Sequence, residues 1–161
     1  MTILSAESSF KRGLAALGQR QPDDAAKFFR SAIELERQRR VSRPDMRYLS
    51  YYGLSLAQGG KATRQAIRAC ETAVARDGYD PDLVLNLAKV YVLAGKTTRA
   101  LETLERGLRM AQHHPGLKAM LSRLDRRSRP VVSFLDRSHP INRVLGRTFS
   151  RGRPSGSEVS A

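Results

Sequence analysis

The chain has 161 residues, of which 40% are hydrophobic and 27% charged, and its 29 Lys and Arg outnumber 15 Asp and Glu to give a formal charge of +14. This is one domain's length, with enough apolar side chains to bury about two-thirds of the unfolded surface. The single cysteine, Cys70, excludes an internal disulfide, and the composition excludes collagen, a disulfide scaffold and a polytopic membrane protein.

Met1 to Glu7 has neither a basic nor an apolar signal region, so no signal peptide is expected and the cytosol is the expected compartment. A first helix is expected over 5–19. Pro22-Asp23-Asp24 opens a second over 22–40, with proline in the first turn and acids at the positive end. Arg37, Arg39 and Arg40 suit its carboxyl end. Further helices are expected over 45–58, 62–77, 81–94, 97–112 and 116–126. Gly59-Gly60 and Gly95 end two of them, and Asp80-Pro81-Asp82 opens another. The most apolar run, Leu83 to Ala94, is broken by Asn86 and Lys89 and falls short of the roughly 20 residues a membrane span needs.

Three segments repeat. Gly13 is followed by Ala25, Phe29 and Ala32; Gly53 by Ala66, Cys70 and Ala73; Ala88 and Tyr91 by Gly95, Ala100, Leu104 and Gly107. Small residues fall where paired helices cross closely, and larger apolar residues fill the space between units. One helix pair cannot bury its apolar face alone, so three are expected to stack. This pattern resembles the tetratricopeptide repeat (TPR) family over roughly residues 6 to 115, most clearly in Leu87-Ala88-x-x-Tyr91, Gly95, Ala100 and Leu104. The resemblance implies an all-α fold, a right-handed α-solenoid of three helix pairs with a capping helix and an extended basic tail. It implies a scaffold rather than a chemistry.

In that family the first helix of each pair lines an inner groove. Carried onto this sequence, the groove candidates are Phe10 and Leu14, Ser50 and Leu54, and Leu85 and Lys89, with Leu17, Ala57 and Val92 completing the three faces. Lys11, Arg47 and Lys89 would supply a basic rim. Some members clamp a peptide carboxylate with Lys and Asn. Phe10 and Leu14 stand at those places in repeat one, and Asp82 stands where a base is wanted in repeat three, so this clamp is not expected. An apolar groove with a basic rim fits a peptide or an amphipathic helix, an acidic one among them.

Leu117, Met120, Leu121 and Leu124 share a helical face and suit a cap over the last repeat. The expected organisation is a solenoid with its cap over 1–126, an Arg/Pro-rich docking segment with a short helix over 127–149, and a disordered tail over 150–161. Residues 116–161 hold 10 basic and 3 acidic groups, against 19 and 12 in the rest. The apolar side chains Val131, Val132, Phe134, Leu135, Ile141 and Leu145 require burial on the repeats or on a partner. Arg126, Arg127, Arg129, Arg137, Arg143 and Arg147 form the basic patch around them. The repeats followed by this tail also resemble a group of small bacterial repeat proteins, a likeness that bears on architecture alone.

No catalytic motif is present. His113 and His114 are adjacent and diverge, one cysteine makes no structural zinc site, and Gly59-Gly60-Lys61 lacks the first glycine of a phosphate loop. No enzyme activity, metal or cofactor is expected, and no oligomeric state follows from the sequence. Two functional readings remain. One is a protein adaptor working through its groove and basic tail. The other is an RNA- or ribosome-associated protein binding through the clusters Arg37–Arg43 and Arg123–Arg129. The first is favoured because aromatics are not interleaved with arginine as base stacking needs.

Overall fold

The computed structural model describes residues 5–60 and 63–128. The chain forms two compact units, residues 1–122 and 123–161. The six helices of the repeats and the first turns of a seventh lie in the first unit. In the second, the backbone of 123–128 is helical, and the remaining residues lie outside the described part.

Among the described residues there are seven α-helices and no strand: α1 Ala6–Gly18, α2 Pro22–Gln38, α3 Met46–Gln58, α4 Thr63–Arg76, α5 Pro81–Leu93, α6 Thr97–Met110 and α7 Pro115–Ser128. All seven fall within two residues of the spans predicted from sequence. Local chemistry sets the starts. Ser5, Asp45 and Asp80 each accept a backbone N–H from the first turn of α1, α3 and α5. Pro22 and Pro81 occupy first-turn positions where a missing N–H does no harm. His114 caps α7, its Nδ1 accepting the Leu117 N–H at 3.3 Å.

Left-handed residues end the helices. Gly60 and Gly95 take φ of 69° and 72°, as their lack of a Cβ permits, but Arg20 and Arg40 take the same role at 59° and 50°. At α1, Gln21 N–H reaches Ala16 O while Arg20 N–H reaches Leu17 O, and α2 and α5 close in the same double-bonded way.

The helices pack as α1 on α2, α3 on α4 and α5 on α6. Successive pairs join through α2 on α3, α4 on α5 and α3 on α5. Small residues sit at the tightest crossings. Gly13 faces the Phe29 ring, Gly53 faces the Ala66 carbonyl and Cys70, and Ala88, Ala100 and Leu104 are fully buried. An aromatic cluster ties the first two repeats together. Phe10 lies 5.6 Å from Phe29, 5.1 Å from Tyr48 and 5.4 Å from Tyr51, ring centre to ring centre. Polar bonds tie the second repeat to the third. Asn86 Nδ2 donates to Ser50 Oγ at 3.2 Å inside the core, and Tyr91 OH donates to Glu71 at 2.6 Å across α4 and α5.

Candidate functional site

The first helix of each pair, α1, α3 and α5, carries the predicted inner row. Its positions recur at three- and four-residue spacing, so each set shares one helix face. The side chains on that face differ in access. Phe10, Ser50, Leu54 and Leu85 are buried, Lys89 is half-buried, and Leu14 is 36% exposed. Leu93, one turn beyond Lys89 on α5, is 53% exposed. The inner helices therefore present Leu14 and Leu93 to solvent, with buried leucines beneath.

Each buried member has an identifiable neighbour. Phe10 belongs to the aromatic cluster, and the Arg47 guanidinium lies over its ring at 5.1 Å. Ser50 is engaged in two bonds: its hydroxyl accepts from Asn86, and its carbonyl accepts the Cys70 thiol at 3.3 Å. Leu85 faces the start of α7, where a Cβ on Gly116 would stand 2.6 Å from Leu85 Cδ2. His114, on the same turn, holds Asp82 through Nε2 at 3.3 Å.

One cation of the inner face, Arg47, is paired. Arg47 bridges Asp45 at 2.6 Å and Glu7 at 3.5 Å. The Asp45 hydrogen bond is the main reason its pKa is raised. It is thus a member of a charge network with Asp45 and Glu7. Tyr48 OH donates to Glu7 at 3.2 Å, and burial pushes that phenol up to about 12. Burial lowers the Lys89 pKa, with the Asp82 charge opposing. An ammonium in that position gains from an anionic or carbonyl-rich neighbour.

The tail candidates Arg129, Val131, Val132, Phe134, Leu135, Arg137, Ile141, Arg143, Leu145 and Arg147 lie outside the described residues. Arg126 and Arg127 lie on the last turn of α7. Among the described residues no group of three His, Cys, Asp or Glu is placed to hold a metal ion, and no helix is long and apolar enough to cross a membrane.

Sequence reasoning did not find the Ser50–Asn86–Cys70 cluster. A serine and an asparagine on otherwise apolar faces are its only trace. Cys70 is fully buried, and burial pushes its thiol up to about 12. Its enclosure and raised pKa keep the thiol protonated and out of contact with solvent. Labelling by an aromatic disulfide reagent should therefore be at least ~1000-fold slower in the native protein than in denaturant. Prompt native labelling would contradict this burial.

Helix pairs that stack one on the next, through α2 on α3, α4 on α5 and α3 on α5, define an α-solenoid built of repeats. Two family models, both for the tetratricopeptide repeat, match residues 10–81 and 56–124. The chain belongs to the tetratricopeptide repeat family, and its described repeats form a solenoid of three helix pairs. A comparison with curated protein sequences gives no match. Several solved structures share the fold. The TPR domain of Arabidopsis OM64 superposes with a TM-score of 0.60 at 18% identity, over 75% of this chain and 94% of that one. The second TPR domain of human RPAP3, in complex with the HSP70 peptide SGPTIEEVD, gives 0.60 at 16% identity, over 74% and 94%. PcrH in complex with the chaperone binding region of PopB gives 0.59 at 20%, over 78% and 98%.

Proposed function

We propose that this protein is a non-enzymatic adaptor that holds a peptide or amphipathic helix of another protein against the inner faces of α1, α3 and α5. The observation that carries this reading is the access pattern on those helices. Leu14 and Leu93 are exposed where a soluble surface would favour polar groups, and Lys89 is half-buried one turn from Leu93. Two structurally similar domains hold a peptide or a binding region of another protein, which supports this class of ligand. The tail supplies a second contact in this reading. Val131, Val132, Phe134, Leu135, Ile141 and Leu145 would bury apolar surface on the partner, and Arg126, Arg127, Arg129, Arg137, Arg143 and Arg147 would favour an acidic one. The soluble interior of the cell is the proposed compartment.

The test is affinity capture with the full chain, after nuclease and at about 0.5 M salt, where phosphate-driven nucleic-acid binding collapses. One protein should be retained by the natural chain and lost at least ~fivefold by Leu14→Asp. Leu14 is 36% exposed, so this substitution should cost no more than about 1–2 kcal/mol, and circular dichroism should show that the variant remains folded. Capture that disappears with nuclease and salt, or that is indifferent to Leu14→Asp, would overturn the inner-face reading.

A further inference from the structure

Beyond the inner face, a second surface concentrates exposed apolar side chains. Tyr79 is 89% exposed and Met110 46% exposed, and both line a cleft of about 680 Å3 between α4 and α6. Its apolar lining also includes Val74, Ala75 and, from α5, Leu87 and Tyr91. A smaller space of about 280 Å3 adjoins it at the amino-terminal ends of the same two helices, and Glu71 borders both. The α4 wall runs from Arg64 to Ala75, about 17 Å of helix, and Gly78 and Tyr79 of the following loop extend it.

Charge along this groove is ordered. Arg64, Arg68, Lys96 and Arg99 surround its upper end, and Arg106 and Arg109 stand on its lower wall. Glu71 and Glu102 lie between. Glu71 is engaged already, accepting Tyr91 OH and lying 3.9 Å from Arg99. Among the described residues no carboxylate pairs with Arg64, Arg68, Lys96, Arg106 or Arg109.

We propose that the outer groove between α4 and α6 is a second docking surface, for an amphipathic helix of a partner protein with an apolar centre and acidic residues in its first and last turns. The apolar face of such a helix would cover Ala75, Tyr79 and Met110, which are exposed above the buried Val74, and its acids would meet the two cation groups. Charge decides among the occupants. The protein's own tail is basic and a second copy carries +14, so both are repelled. A nucleic-acid backbone needs an unbroken basic track, and Glu71 and Glu102 interrupt this one. The surface shares no residue with the inner row, so it stands or falls independently of the groove on α1, α3 and α5.

The probe is a synthetic peptide of about 15 residues, leucines on one helical face and glutamates in both end turns. It is titrated into the isotope-labelled full chain by NMR. Amide shifts should cluster on α4, α6 and the Tyr79 loop. Arg106→Glu with Arg109→Glu should weaken binding at least ~tenfold, as should Arg64→Glu with Arg68→Glu, while Arg39→Glu should leave it unchanged. All these arginines are exposed, and unchanged circular dichroism confirms that the variants fold. Shifts confined to α1 and α3, equal loss in Arg39→Glu, or no binding at about 1 mM peptide would each overturn the proposal. So would a single-stranded RNA oligonucleotide that binds the same walls more tightly than the peptide.

Discussion

Phe29→Ala should lower the stability of the chain by about 3–5 kcal/mol, the loss expected when a fully buried aromatic leaves a cavity. Phe29 has no exposed surface. From its place on α2 it touches two other helices, seated over Gly13 of α1 with its ring 5.6 Å from that of Tyr51 on α3. The neighbours cannot close the hole cheaply. Gly13 has no side chain to extend, and Phe10 is held by Tyr48 and by Arg47 above its ring. In a solenoid each repeat rests only on its neighbours, so the damage should be local. Hydrogen exchange should accelerate in α1, α2 and α3, with α5 and α6 retaining most of their protection. A loss below 1 kcal/mol in urea titration, or uniform acceleration across all helices, would contradict this placement of Phe29.

Gly53→Ala should destabilise by about 1–3 kcal/mol, although the same change in an open helix stabilises by up to about 1 kcal/mol. The sign comes from what the methyl would meet. A Cβ at Gly53 would stand 2.7 Å from the Ala66 carbonyl oxygen and 2.7 Å from Cys70 Sγ. The carbonyl is backbone, so α3 and α4 must move apart to admit the methyl. Gly18 is the internal comparison. It lies at the end of α1, and a methyl there would meet nothing within 4 Å, so Gly18→Ala should stabilise by a few tenths to about 1 kcal/mol. Denaturation midpoints of the two variants should therefore move in opposite directions.

Much of this fold is legible in the sequence because its punctuation is chemical. Asp80-Pro81, Pro22, Gly59-Gly60 and Gly95 each fix an end by capping or by a backbone angle, and the recurring Gly13, Gly53 and Ala88 mark the close crossings. The groove is less legible. Phe10 and Leu14 sit one turn apart on α1, yet one is buried and the other exposed. Three- and four-residue spacing places both on one face but does not reveal which is covered by Tyr48 and Tyr51 of the next repeat. Arg47 shows the same limit in part, because Asp45 is two residues away but its second partner Glu7 is 40 residues away in the chain. The outer groove escapes periodicity for a further reason. Tyr79 lies in a loop and Met110 at a helix end, outside any amphipathic stripe.

In the adaptor reading the inner faces of α1, α3 and α5 meet a protein partner. Site-specific photo-crosslinking in cells tests it most directly. A photoreactive residue in place of Leu14, and another in place of Lys89, should trap the same protein, while one in place of the exposed Arg39 should not. Trapping of unrelated proteins at Leu14 and Lys89, or equal trapping at Arg39, would contradict the account.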